Sequence, residues 1–312
     1  MRDSPYRTLI DDPTRAFIDR TNAAYPSDAT GLDIAGQRRV YDAMCAVFRQ
    51  PRPKGVVVID EVQGGVPTRR YEIGPSDATI VYFHGGGFVV GSLDSHDDVC
   101  AEACAATGLR VVSVDYRLVP EHLHPAAFDD ALSATRSVSA TFGPVILAGD
   151  SAGGALAASV AHALRGSDVR VLGQVLIYPG LGGPMDGGSY VTHADAPMLT
   201  TADVLFYRRL RHGGDDPPPD PTAAALQDSD FAGLPPTAIF AAECDPLCDD
   251  APLYRDRIRA ARGRAEATVE PGLVHGYLRA RHTVPRARAS FTRIIATLAA
   301  LATGQLPTGD PP

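Results

Sequence analysis

Ser151 lies in the pentapeptide GDSAG, residues 149–153, directly after the apolar run of residues 145–148. A glycine-x-serine-x-glycine pattern at this place predicts a sharp turn from a buried strand into a helix, which lifts the serine hydroxyl above the sheet. A hydroxyl presented in this way becomes a nucleophile once a neighbouring base takes its proton. Because such a pentapeptide also arises by chance, a catalytic role for Ser151 requires a matching base, acid and set of N–H donors elsewhere in the chain.

A glycine-rich loop, HGGGF, occupies residues 84–88 and follows the β-branched and aromatic run of residues 78–83. Three consecutive glycines cost conformational entropy, so the loop needs a reason such as close approach of its N–H groups to a ligand. N–H groups placed in advance stabilise the negative charge that develops on a carbonyl oxygen during acyl transfer. We expect the amides of Gly85, Gly86 and Ala152 to form this oxyanion hole, while His84 holds the loop by hydrogen bonds.

A base for Ser151 is predicted at His275, which follows a short strand-like run at residues 266–270 and precedes Gly276. Of the nine histidines, it alone combines a strand end with a position after the candidate acids. In proteins with this serine turn, the chain order is serine, acid, histidine. A carboxylate is needed to fix the tautomer of the imidazole and to stabilise its protonated form.

The acid is predicted to be Asp245, in the segment ECDPLCDD at residues 243–250 that follows the apolar run of residues 237–242. Glu243, Asp249 and Asp250 compete for the role. Asp249 and Asp250 have another explanation, since negative charge suits the first turn of the next helix. Asp245 lies close to the strand end and has no such capping role.

These motifs together resemble the hormone-sensitive lipase family of α/β-hydrolases, also called the bacterial family IV esterases. HGGGF, DYRLVPEH (residues 115–122), GDSAGG, ECDPLCD and HGY occur in that order and span about two-thirds of the chain. The resemblance implies serine carboxylester hydrolysis. By position, Ser151 would be the nucleophile, His275 the base and Asp245 the acid.

Neighbouring residues are expected to contact the substrate or to support the site. Phe88, Asp150 and Tyr178 are predicted substrate-binding residues. Arg117 and Glu121, within the DYRLVPEH segment, would either structure the base of the site or form a buried ion pair without a role in chemistry.

Strand-like and helix-like runs alternate along most of the chain, which predicts a mostly parallel sheet of about eight strands flanked by helices. With the resemblance, this alternation predicts an α/β-hydrolase core over residues 51–180 and 234–304. Two regions do not fit it, residues 1–50 and residues 181–233, and the resemblance implies that they pack together as a helical cap over the site. Thr200 or Thr201 would cap a helix over residues 199–210, and residues 305–312 are expected to form a flexible tail.

Composition excludes several classes of function. The net charge of the 312-residue chain is −8 and the charges are dispersed, so we expect no nucleic-acid partner. No apolar stretch reaches the length of a membrane span, and the first residues lack an apolar signal core, so we expect no membrane partner and a cytoplasmic location. The oligomeric state stays open, a homodimer included.

Five cysteines, an odd number, argue against a secreted disulfide framework. The pairs Cys100/Cys104 and Cys244/Cys248 are spaced more widely than common metal-binding knuckles, and we expect buried thiols, no metal and no cofactor. The expected partner is a small-molecule ester. The motifs alone leave two alternatives open: a deacetylase or amidase acting on a specialised metabolite or antibiotic, and a non-catalytic receptor on the same fold. The presence of His275 disfavours the receptor.

Overall fold

A single eight-stranded sheet forms the centre of the computed structural model, which describes residues 5–25, 31–214 and 218–307. The strands run in the spatial order β1-β2-β4-β3-β5-β6-β7-β8. Strands β3 to β8 pair in parallel, while β1 and β2 form an antiparallel hairpin whose second strand is antiparallel to β4. The strands are β1 (Val57–Gln63), β2 (Val66–Glu72), β3 (Thr79–Phe83), β4 (Arg110–Val114), β5 (Val145–Asp150), β6 (Val171–Ile177), β7 (Thr237–Cys244) and β8 (Ala265–Val274).

The central strands are buried along their whole length, which explains their continuous apolar sequences. Every residue of β3 and β5 is buried, as expected for a parallel sheet covered on both faces. The outer strand β1 is different, because Val57 and Val62 are 56% and 65% exposed. The pairing of these strands confirms the predicted mostly parallel sheet of eight strands.

Helices cover the sheet in two packed groups. Helix α5 packs against α6, and a hydrogen bond from His162 to Tyr254 joins α6 to α9. Helix α4 packs against α10. The helices are α1 (Tyr6–Leu9), α2 (Asp12–Ala24), α3 (Ile34–Phe48), α4 (Asp97–Thr107), α5 (Ala126–Phe142), α6 (Ala152–Ala163), α7 (Ser189–Thr192), α8 (Thr201–Arg211), α9 (Asp250–Ala260) and α10 (Pro285–Ala302).

The two regions outside the alternation both contain helices in the part of the chain that the structure describes. Helices α1 to α3 precede the sheet, and α7 and α8 lie between β6 and β7. Thr200 caps α8 in a reciprocal arrangement: its hydroxyl accepts from the Asp203 N–H, and the Asp203 carboxylate accepts from the Thr200 N–H. Residues 308–312 of the predicted tail lie outside the described residues. None of the described helices is both long and apolar enough to cross a membrane.

Candidate active site

Ser151 occupies the junction between β5 and α6 in a backbone conformation that side-chain-bearing residues rarely adopt. Its φ and ψ are +53° and −119°, a strained combination that exposes the side chain at the top of the sheet. The turn is tight because α6 begins against β3. A Cβ atom at Gly153 would lie 1.9 Å from the Phe83 carbonyl oxygen, so only glycine fits there. The Ser151 N–H donates to the carbonyl of Ile177 on the neighbouring strand, which fixes the turn.

Ser151, His275 and Asp245 form one chain of hydrogen bonds. The Ser151 Oγ lies 2.9 Å from His275 Nε2, and His275 Nδ1 lies 2.6 Å from Asp245 Oδ2. Strand β8 runs to Val274, so His275 projects directly from its carboxyl end. With Nδ1–H donating to the carboxylate, Nε2 is left to accept the serine proton. The geometry therefore suits activation of the hydroxyl as a nucleophile.

The Asp245 carboxylate is completely buried just beyond β7 and has a second donor. Its Oδ1 accepts the N–H of Leu247 at 3.0 Å, which leaves Oδ2 aimed at His275. Glu243 lies two residues earlier, but its carboxylate accepts the N–H of Gly272 at 2.7 Å. Of these two carboxylates, only Asp245 contacts the imidazole.

Asp249 and Asp250 stand at the start of α9, as the sequence indicated, but their carboxylates bind elsewhere. The helix has no side-chain cap at its first residues. The Asp249 carboxylate accepts the N–H of Ser189, and the Asp250 carboxylate accepts the N–H groups of residues 181–183. Both side chains therefore hold the segment that leads from β6 into α7. Their distance in sequence from that segment, about 60 residues, hid this role.

The glycine loop requires a correction to the predicted oxyanion hole. The Gly85 N–H donates to Asp150 Oδ1 at 3.0 Å and is not available to a ligand. Gly86, Gly87 and Ala152 line the cavity next to Ser151, and their amides donate to no acceptor within the described part of the chain. The sequence missed Gly87, because three identical glycines carry no signal of which amide points into the cavity.

Asp150 lines the cavity, but its carboxylate is engaged by the glycine-rich loop and its neighbours, so its predicted contact with substrate stays a prediction. Its carboxylate is 3% exposed and accepts from the Tyr82 hydroxyl at 2.8 Å as well as from Gly85. It also contacts His96 Nε2 at 3.2 Å. Burial alone would raise the pKa of Asp150, but His96, Tyr82 and Arg279 outweigh burial and hold the pKa well below its usual range. The carboxylate is therefore ionised and occupied by protein donors.

His84 is fully buried beneath the loop and holds it from the other side. Its Nδ1 lies 2.8 Å from the Gly85 carbonyl oxygen, and the Tyr116 hydroxyl donates to the His84 carbonyl at 2.6 Å. The ring stacks on that of Tyr116 at a centroid distance of 4.4 Å. Burial lowers the pKa of His84 to about 4, and the proximity of His96 acts in the same direction. The imidazole is therefore neutral near pH 7.

A cavity of about 310 Å³ opens above Ser151 and His275. Phe88 and Tyr178, two of the predicted substrate-binding residues, line it, and the Tyr178 ring packs against His275 at 4.9 Å. Other wall residues come from the two regions outside the alternation. Residues 1–50 contribute Thr21, Asn22, Tyr25, Tyr41 and Met44, and residues 181–233 contribute Met198, Leu199, Val204, Tyr207, Arg208 and Arg211.

Arg117 and Glu121 pair with other residues and not with each other. Arg117 forms a bidentate pair with Asp130. Glu121 is half-exposed and pairs with Arg38 of α3 at 2.7 Å. Arg38 also donates to the Val89 carbonyl, so α3 is tied to the glycine-rich loop. Of the two alternatives that the sequence left open, the buried ion pair between Arg117 and Glu121 is therefore wrong.

The five cysteines are buried free thiols. Burial raises the pKa of Cys244 and Cys248 to about 12, with nearby carboxylates adding to the effect. Within the described ranges, no group of three or more histidine, cysteine, aspartate or glutamate side chains is arranged to hold a metal ion.

Comparison with known proteins places the chain among esterases. A sequence profile of the alpha/beta hydrolase fold matches residues 80–279. Esterase LipI of Mycobacterium tuberculosis is 37% identical, with 94% of this chain and 90% of the relative covered. Carboxylesterase NlhH of the same species is 40% identical over 70% of this chain and 72% of its own length.

Solved structures give the same result for the fold and the family. A hyperthermophilic esterase from the archaeon Pyrobaculum calidifontis superposes with a TM-score of 0.85 at 30% identity, covering 95% of this chain and 99% of that one. An esterase from the bacterial hormone-sensitive lipase family superposes with a TM-score of 0.83 at 29% identity, covering 97% and 100%. The chain is thus a carboxylesterase that belongs to the hormone-sensitive lipase family of the α/β-hydrolase superfamily.

Proposed function

We propose that this carboxylesterase hydrolyses short- to medium-chain acyl esters through a covalent acyl-enzyme on Ser151. The observation that carries the proposal is the hydrogen-bonded chain from Ser151 Oγ through His275 to Asp245. In the first step His275 Nε2 takes the hydroxyl proton while Oγ attacks the ester carbonyl carbon. The same imidazole then gives the proton to the leaving alcohol as the carbon–oxygen bond breaks.

The second step returns the enzyme to its starting state. Water replaces the alcohol, loses its proton to His275 and attacks the acyl carbon, and Ser151 Oγ leaves with that proton. In both steps the negative oxygen is stabilised by the amides of Gly86, Gly87 and Ala152, which line the cavity without a protein acceptor in the described chain. Asp245 holds the imidazole in the tautomer that both steps need.

The helices before β1 and those between β6 and β7 act in this proposal as a cap. Tyr25, Tyr41 and Tyr207 from these helices face the cavity that contains Ser151. A wall of protein side chains limits the length of the acyl group and shields the acyl-enzyme from bulk water. A homodimer and a cytoplasmic location stay predictions of the sequence.

The experiment that tests the mechanism uses Ser151→Ala with 4-nitrophenyl butyrate as the substrate. Because the members of such a triad act as a unit, we expect kcat to fall by several orders of magnitude. Wild-type enzyme should gain the mass of one phosphonyl group after treatment with a fluorophosphonate, and the variant should not. Full labelling of Ser151→Ala would assign the nucleophile to another residue.

Asp245→Asn supplies a matched test of the acid. We expect a loss of about 10⁴ in kcat, because an amide favours the wrong tautomer of His275. Glu243→Asn, two residues away and hydrogen-bonded to a backbone amide, serves as the control. Loss of activity in the control together with near wild-type activity in Asp245→Asn would contradict the proposed triad.

A further inference from the structure

Arg279 is a cation of the active-site cavity that touches no carboxylate in the described chain, although its charge acts on the nearby Asp150. Within the part of the chain that the structure describes, no carboxylate oxygen lies within 4.0 Å of its guanidinium group. Among the described residues, the guanidinium group makes one hydrogen bond, a long contact of 3.4 Å from Nη1 to the Tyr41 hydroxyl. Its buried Nε has no acceptor among the described residues. Since a buried charge is costly unless it is paired, this arrangement needs an explanation.

The contrast with Arg281, two residues later, shows what a paired arginine looks like here. Arg281 is buried and contacts Asp98 at 2.6 Å and Glu102 at 2.8 Å. Both arginines lie at the short helical turn that follows His275. Arg281, which does not line the cavity, therefore contacts two carboxylates, whereas Arg279, which does, contacts none among the described residues.

The guanidinium group of Arg279 packs against Gly276, the residue that follows His275 in the chain. A Cβ atom at Gly276 would lie only 2.6 Å from Arg279 Nη2. Arg279 lines the same cavity as Ser151 and His275. A ligand bound for reaction at Ser151 is therefore within reach of this cation.

The charge balance of the cavity points in the same direction. Among the lining residues that the structure describes are the cations Arg211 and Arg279, and the one carboxylate described there, Asp150, is already occupied by protein donors. Arg211 is buried over the Phe88 ring at 3.8 Å. This lining is cationic in a chain with 37 acidic and 29 basic residues and a net charge of −8. A surplus of positive charge at this one site favours an anionic ligand.

We propose that the esters this site is built to take carry a carboxylate besides the ester group, and that Arg279 binds it. A guanidinium group offers a carboxylate two parallel N–H donors, which is the pairing that Arg279 lacks. The proposal rests on the esterase mechanism above. The carboxylate can belong to the acyl part, as in a half-ester of a dicarboxylic acid, or to the alcohol part, as in an ester of a hydroxy acid. Both place the same group beside Arg279.

Two matched pairs of substrates test the proposal and separate the two sources. Mono-4-nitrophenyl adipate against 4-nitrophenyl hexanoate tests a carboxylate on the acyl side at equal chain length. 4-Acetoxybenzoate against 4-acetoxybenzamide tests a carboxylate on the alcohol side. For wild-type enzyme we expect kcat/KM of the anionic ester to exceed that of its neutral partner at least tenfold in one of the two pairs.

Substitution of the arginine gives the residue-specific readout. Arg279→Gln should lower the anionic-to-neutral ratio of kcat/KM at least tenfold, mainly through KM, and Arg279→Lys should keep part of the preference. Arg288→Gln removes the same charge from the exposed surface and should keep the wild-type ratio. Each ratio is internally normalised by the neutral ester, so a general loss of active protein does not change it.

A binding measurement separates failure of this inference from failure of the esterase mechanism. Titration calorimetry on Ser151→Ala measures binding of adipate and of 4-hydroxybenzoate without turnover. We expect one of these anions to bind, and its neutral analogue, with amide groups in place of the carboxylates, to bind at least tenfold more weakly. If neither anion binds and neither wild-type ratio exceeds one, the inference is overturned even when neutral esters are hydrolysed. Ratios that are the same in wild type and Arg279→Gln would also overturn it.

Discussion

At the scale of single residues, the imidazole of His84 links the stability of the active site to pH. It is fully buried under the glycine-rich loop, and its pKa is lowered to about 4 from an ordinary value of about 6.5. Between pH 4 and pH 6.5, His84 is therefore protonated in the unfolded chain but neutral in the folded protein. The contribution of neutral His84 to stability is therefore complete above pH 6.5 and is lost as the pH falls toward 4.

We predict that His84→Gln weakens the pH dependence of unfolding on the acid side. The wild-type free energy of unfolding should fall by about 1.4 kcal/mol per pH unit more steeply than that of the variant between pH 6 and pH 4.5. Urea titrations at several pH values, followed by circular dichroism, measure both curves. Parallel curves for the two proteins would show that His84 is protonated equally in the folded and unfolded states.

At the scale of secondary-structure elements, Asp250 connects the first turn of α9 to the segment that leads into α7. Its buried carboxylate accepts the N–H groups of Leu181, Gly182 and Gly183 and also contacts the Tyr190 hydroxyl. An amide in its place turns an NH₂ group toward these donors. We predict that Asp250→Asn lowers the free energy of unfolding by about 3 kcal/mol, since buried donors that lose their acceptors cost about 1–3 kcal/mol each.

Denaturant unfolding of Asp250→Asn beside Asp256→Asn checks this prediction. Asp256 lies on the same helix, its side chain is 62% exposed, and its ion pair with Arg255 is a surface pair. Such pairs contribute little, so the control should stay within about 0.5 kcal/mol of wild type. Equal stability of the two variants would mean that Asp250 does not hold the segment.

Elements of this kind were predictable from the sequence where local pattern decides them. The strand-like runs named in the sequence overlap β3, β5, β7 and β8, because buried parallel strands consist of uninterrupted apolar and β-branched residues. The cap of α8 at Thr200 was likewise visible, since the capping partner Asp203 is three residues away. The candidate nucleophile, acid and base were predicted from short motifs, and the structure brings the three side chains together.

The features that the sequence missed depend on partners that are distant in the chain. Asp249 and Asp250 had a local explanation as capping residues, but their acceptor roles belong to a segment about 60 residues earlier. The choice of Gly87 over Gly85 is set by the Asp150 carboxylate, 65 residues from Gly85. No local rule contains this information, because the competing structures satisfy the same local preferences.

At the scale of the whole molecule, the limited size of the cavity predicts how activity depends on acyl length. Burial of each methylene group contributes about 0.8 kcal/mol, or about a fourfold gain in kcat/KM, until the cavity of about 310 Å³ is filled. We therefore expect kcat/KM on 4-nitrophenyl esters to rise over the first few carbons, peak at short to medium chains and fall for long ones. Initial rates from acetate to palmitate measure the profile.

A comparison of emulsified with dissolved substrates is the control for this prediction. An enzyme that takes single molecules into a protein-walled cavity should gain nothing from a lipid–water interface. The rate on emulsified long-chain triglyceride should stay below the rate on dissolved butyrate or hexanoate esters. A rise in rate when the substrate becomes an emulsion would instead indicate a true lipase.

The walls of the cavity also impose an order on assembly. Helices α1 and α2 pack against β8, and α3 packs against the turn after His275. The contacts of Tyr41 with Arg279 and of Leu9 with Arg286 join residues 238 and 277 positions apart. During synthesis, the N-terminal helices are therefore made long before the residues that they contact near His275, while the β1–β2 hairpin pairs two strands close in the chain. The catalytic pocket is complete only after segments as far apart as Tyr41 and Arg279 have folded together.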